Sequence, residues 1–183
     1  MSIVLVSDVF GITPALLELS DNLGANIIVD PYKGNNMDFK DEAEAYSCFI
    51  KTVGLDNYLT QLLNTVKSLD SQTTLIGFSV GASIIWRLSE NKDSNLIKQA
   101  FCFYGSQIRN FTHIEPCFKV SLILPKSEPH FDVSVLKEKL TKKLNVKATQ
   151  VDYLHGFMNS YSTNFNDTAY KQYLAFLRAT SSI

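Results

Sequence analysis

Long apolar runs are missing from this sequence. Nowhere does it hold the ~18 consecutive apolar residues that a membrane-spanning helix requires, and Met1 leads directly into Ser-Ile-Val-Leu-Val without a basic region or a small-residue cleavage site. Neither a membrane span nor a targeting segment is therefore expected. Cysteine is scarce as well. Cys48, Cys102 and Cys117 are odd in number, far apart and never arranged as CxxC, which excludes a disulfide framework and a cysteine zinc site. Their apolar neighbours suggest reduced thiols in the core, and hence a cytoplasmic protein. Charge of one sign is also lacking: 17 basic against 18 acidic residues leave a net charge of -1, too little to attract nucleic acid or an anionic membrane surface. No metal or other cofactor is expected. With no repeat, low-complexity tract or linker, residues 1–183 read as one domain, long enough to bury roughly 70% of the surface of the unfolded chain.

What is present is an alternation of two periodicities. Short apolar, β-branched runs at Ile3–Ser7, Ile27–Val29, Thr74–Ile76, Ala100–Tyr104, Val120–Leu124 and Ala148–Val151 predict six buried strands. Between them, Pro14–Leu23, Asp56–Leu69, Val80–Asn91, Ser134–Leu144 and Asp167–Ala179 carry apolar residues three and four apart, as helices do, and Asp41–Val53 is a further candidate. Such alternation predicts the α/β class: a mostly parallel six-stranded sheet with right-handed crossovers and helices on both faces. Ligands bind such sheets beyond the carboxyl ends of the strands. The loops to watch are thus Asp8–Gly11, Gly77–Gly81, Gly105–Asn110, Pro125–Asp132 and His155–Phe157.

Gly77-Phe78-Ser79-Val80-Gly81 stands where a strand becomes a helix and fits G-x-S-x-G, the nucleophile elbow, in which a serine on a tight turn projects its hydroxyl above the sheet. The glycines are needed because strand and helix pass too closely for Cβ atoms. As a bare pattern this recurs by chance in roughly one chain in fifteen of this length. The competing reading makes Ser79 a helix N-cap. A serine nucleophile also needs a base and an acid to orient it. Of three histidines, His113 and His130 read as surface residues, whereas His155 directly follows the last strand and has the order Ser, acid, His. The loop after the fifth strand offers two acids, Glu128 and Asp132. An oxyanion would be held by the amide of Val80 and by that of Val9 or Phe10.

Taken together, VLVSDVFGIT, IIVDPYKG, GFSVG, FCFYGS, PKSEPHF, HGFMN and the tail YKQYLAFL resemble, in order, the conserved segments of the dienelactone hydrolase family of α/β-hydrolases. The resemblance implies a minimal α/β-hydrolase fold without a cap domain, Ser79 as nucleophile, Glu128 as acid, His155 as base, and the amides of Val9 and Val80 as oxyanion donors. Asp8, Phe10, Phe78, Arg109, Phe157 and Asn159 flank these positions and are the expected substrate contacts. Departures from the family are informative. Its prototypes carry cysteine in place of Ser79, aspartate in place of Glu128, glutamate in place of Asp8, and a carboxylate-binding arginine in place of Asn159. The match begins at what would be the third strand, so the antiparallel leading strands are expected to be absent. The implied activity is that of a serine hydrolase on a small ester or thioester. An acyltransferase using the same residues and a non-catalytic binding scaffold are the alternatives, and the oligomeric state stays open.

Overall fold

The computed structural model describes residues 2–181. Its six strands, β1 (Ser2–Val6), β2 (Ile27–Val29), β3 (Thr73–Phe78), β4 (Ile97–Phe103), β5 (Lys119–Leu124) and β6 (Val146–Gln150), form one sheet in the order β2-β1-β3-β4-β5-β6. Every neighbouring pair is parallel. The central strands are apolar on both faces because both faces are covered: all six β3 residues are buried. The prediction that all six strands are buried fails at the edges. β2 and β6 each bury only one residue fully, since an edge strand has a neighbour on one side alone.

Helices α1 (Pro14–Leu23) and α6 (Asp167–Ser181) cover one face, where Leu19, Ala169 and Leu177 join Ile76, Phe101 and Phe103 in one core cluster. The other face carries α2 (Glu42–Thr52), α3 (Gly54–Lys67), α4 (Val80–Leu88) and α5 (Val133–Thr141), whose Phe49, Tyr58, Trp86 and Leu140 belong to the second cluster. Local chemistry sets the helix ends. Thr13 caps α1 through a bond from the Leu16 amide with Pro14 at the first position, and Asp41 caps α2 by accepting from the Glu44 amide. The periodicity that extended α5 through Leu144 fails because the helix stops at Thr141 and Leu144 is left 95% exposed. Cys102 is buried as expected, but Cys117 is exposed, because it lies on the loop leading into β5 and not on a strand.

The order of strands also decides where a site can form. From β1 the chain crosses to β2 on one side, then returns over β1 through α2 and α3 to β3 on the other. The loops after β1 and β3 therefore diverge, which opens a crevice at the sheet's carboxyl edge. Only a short 3₁₀ turn, Ser106–Phe111, lies between β4 and β5 among the described residues, so no helical cap closes that crevice.

Candidate active site

At the crevice, Ser79 links β3 to α4 with φ 51° and ψ -113°, a conformation costly to any residue with a Cβ. The turn is tight for steric reasons visible on both sides. A Cβ on Gly77 would lie 2.9 Å from the Ala82 nitrogen and 2.9 Å from the Gly81 carbonyl carbon. One on Gly81 would run into the carbonyl oxygens of Val6, the last residue of β1, and Ser7, just beyond it. Held this way, the Ser79 side chain makes no capping bond to α4. Its hydroxyl instead meets His155 Nε2 at 3.0 Å, while His155 Nδ1 meets Glu128 Oε1 at 2.7 Å.

Each partner is positioned by its loop. Gly156 (φ +86°) lets the chain turn directly after His155, and Asn164 Nδ2 donates to the His155 carbonyl at 2.9 Å. Glu128 lies in a narrow loop closed by a bridge to Phe131, with its side chain only 7% exposed. Asp132, the other acid of that loop, is engaged elsewhere: it accepts from the Ser134 hydroxyl and from the amides of Ser134 and Val135 and caps α5, bonds that lower its pKa. Tyr104, at the end of β4 with φ 41°, sets its ring 4.9 Å from the imidazole, centroid to centroid. Burial alone would draw the pKa of His155 down. The hydrogen bond and charge of Glu128, together with the charges of Glu42 and Asp8, outweigh burial and hold it above the ordinary value.

The residues expected to hold an oxyanion through their amides differ in placement. Val9 and Val80 line a cleft of about 700 Å³ together with Ser79 and His155. Phe10 is occupied, because its amide donates to Asp8 Oδ1 at 3.0 Å. Asp8 Oδ2 accepts from Asn159 Nδ2 at 2.6 Å, tying the loop after β1 to the segment after β6. Burial raises the pKa of Asp8 to about 6, against the lowering effect of those two bonds.

The expected substrate contacts divide. Arg109 lines the cleft, its guanidinium donating to the Ser106 carbonyl at 2.7 Å and lying over the Phe131 ring. Asp8, Phe78 and Asn159 line a separate cavity of about 20 Å³, room for one water. Phe157 and Phe10 are corrections. Phe157 is fully buried between Phe103, Tyr104 and Tyr173 in the core, and Phe10 is 4% exposed against Tyr161, so neither ring faces the cleft. His130 is exposed, as its sequence position suggested, and stands at the cleft. Sequence reading missed Glu42 and Tyr46, four residues apart on α2, which the fold brings to the cleft wall, with Glu42 Oε1 3.8 Å from His155 Nε2. The available signal was a capped first turn after the β2 loop, which does not reveal where the helix docks. Among the described residues no group of three or more histidine, cysteine or acidic side chains could hold a metal ion.

The sheet order, the strained turn after β3 and the side chains grouped over the carboxyl edge define an α/β-hydrolase fold. Solved structures agree on the fold. A Klebsiella pneumoniae subsp. pneumoniae protein assigned as a dienelactone hydrolase superposes with TM-score 0.73 at 15% identity, covering 96% of this chain and 85% of its own. The dienelactone hydrolase-like promiscuous phosphotriesterase P91 from metagenomic libraries gives 0.68 at 16% identity, covering 99% and 85%. Est1E of Butyrivibrio proteoclasticus, solved with ferulic acid bound, gives 0.64 at 10%, covering 98% and 87%. No protein-family profile matches the chain. In sequence, the uncharacterized protein YczH of Bacillus subtilis (strain 168) is 35% identical over 142 residues, which are 76% of this chain and 69% of YczH, and the chain belongs to the same family as YczH.

Proposed function

We propose that the protein is a serine hydrolase that cleaves a small ester or thioester through an acyl-enzyme. The observation that carries this reading is the hydrogen-bonded line from Ser79 through His155 to Glu128. In the first half-reaction Ser79 Oγ attacks the carbonyl carbon as His155 Nε2 takes its proton, and the Glu128 carboxylate stabilises the imidazolium through Nδ1–H. The carbonyl electron pair moves onto oxygen, where the amides of Val9 and Val80 receive it at the positive end of α4. As the pair returns, the bond to the alcohol or thiol breaks and Nε2 delivers the proton to that leaving group. Water then repeats the sequence, with His155 as base, and frees the acid and Ser79.

The uncapped crevice supports a small or soluble substrate. Fold neighbours such as Est1E add only an analogy, because one fold hosts many chemistries. Asn159 is held by Asp8, so nothing at that position offers the positive charge by which dienelactone hydrolase prototypes grip a carboxylate. Labelling by a fluorophosphonate probe tests the reading. Wild-type protein takes up the label on Ser79 and Ser79→Ala does not. Equal labelling of both proteins places the nucleophile elsewhere.

A further inference from the structure

Besides His155, the acidic and basic side chains that line the cleft are Glu42, Arg109, Glu128 and His130. Glu128 is committed to His155 Nδ1 and is almost wholly buried. Arg109 is held three residues back by the Ser106 carbonyl and faces Phe131 on the acid loop. Glu42 differs from both. Its carboxylate is 43% exposed and lies 3.8 Å from Nε2, the nitrogen that also meets Ser79, with no lysine or arginine paired to it among the described residues.

That position has a consequence for the leaving group. In acylation Nε2 must hand its proton to the departing oxygen or sulfur, so the atoms attached to that heteroatom pass within a few ångströms of Glu42. We infer that Glu42 selects esters and thioesters whose alcohol or thiol portion carries a positive charge, such as a protonated or quaternary amine two carbons from the reacting heteroatom. The inference rests on the proposed Ser79 chemistry and deepens it. A carboxylate in this place repels an anionic leaving group and attracts a cationic one. At a separation of about 5 Å, with an effective dielectric constant of about 40 to 70 at a half-exposed group, the attraction is worth roughly fivefold to fifteenfold in kcat/KM. A role confined to the first turn of α2, where an acidic residue suits the helix dipole, would change helix stability and leave this selectivity untouched.

The test compares two thioesters of the same shape, acetylthiocholine and S-(3,3-dimethylbutyl) thioacetate, which differ by a quaternary nitrogen in place of a quaternary carbon. Thiol release is followed with the full chain at low and at ~0.5 M salt, in wild type and in Glu42→Gln. The expected result is a roughly fivefold to fifteenfold preference for the cation at low salt, reduced at high salt and falling to near one in Glu42→Gln. A wild-type ratio near one, or a preference that survives Glu42→Gln, overturns the inference. So does turnover of neither thioester by protein that still cleaves p-nitrophenyl acetate. Failure of the underlying reading looks different: p-nitrophenyl acetate turnover that persists in Ser79→Ala removes the Ser79 chemistry, and with it the assignment of Glu42.

Discussion

Asp8 costs the fold stability at neutral pH, and Asp8→Asn should recover it. The carboxyl is buried under the loop after β1 and its pKa rises from 3.8 to about 6, with desolvation the largest cause. A raised acid pKa means that the folded state holds the proton more tightly than the unfolded state does. Its contribution is favourable relative to the ionised form below pH 3.8, fades as pH rises toward about 6, and is fully lost above that. At about 1.36 kcal/mol per pH unit, the gap between 3.8 and about 6 amounts to about 3 kcal/mol at pH 8 and about half of that at pH 5. Asparagine is neutral at every pH and its carbonyl can still accept from the Phe10 amide, but its Nδ2 replaces the oxygen that accepts from Asn159, so Asn159 must turn its Oδ1 inward and give up the bond from the Tyr161 amide, which offsets part of the gain equally at every pH. Asp8→Asn should thus be more stable than wild type by up to about 3 kcal/mol at pH 8, or roughly 6–12 °C in Tm for a chain of this size, with the advantage at least halved at pH 5. Urea melts at pH 8, 6.5 and 5 measure it. An advantage that does not change with pH would assign the effect to packing, and no advantage at pH 8 would refute the reasoning.

Three further outcomes follow from the site. Because the pKa of His155 is raised and the base must be neutral, kcat/KM should climb with pH through a midpoint above the ordinary histidine value of about 6.5, which an esterase pH profile checks; a midpoint below that value contradicts the assignment. Glu128→Gln should lower kcat by ~10²–10⁴ with little change in Tm, whereas Asp132→Asn, which still caps α5, should alter neither; kinetics and melts of the two variants side by side decide between the acids. Gly81→Ala should destabilise by about 2 kcal/mol or more, seen as a lower urea midpoint, because its Cβ meets the Val6 and Ser7 carbonyls at the end of β1 and just beyond it.

How far the sequence reveals this molecule depends on whether a feature is local. The elbow is legible because a tight strand-to-helix turn demands glycines beside Ser79, and His155 because it follows the last strand at the sheet's carboxyl edge. The sheet is legible from β-branched runs, though their edges are not, since whether β2 or β6 is covered depends on neighbours far along the chain. PKSEPHFD offers both Glu128 and Asp132; the resemblance to the family points to Glu128, and the fold sets Glu128 against His155 Nδ1 and Asp132 at the cap of α5. Phe157 misleads for a related reason: two residues beyond His155, its ring turns into the core and not the cleft. Glu42 and Tyr46 sit on a helix whose amphipathic pattern says only that one face is buried. Their closeness to Ser79 arises from the crossover that carries α2 and α3 back over β1.

The central claim is that Ser79 is the nucleophile, and one measurement bears on it most directly: kcat/KM for p-nitrophenyl acetate in wild type and Ser79→Ala, with thermal melts showing both folded. The hydroxyl contributes nothing to the cap of α4, so its removal should leave Tm within a few degrees. Activity should fall by at least ~10³, because nucleophile and base act as a unit. A folded Ser79→Ala protein that retains wild-type turnover would contradict the account.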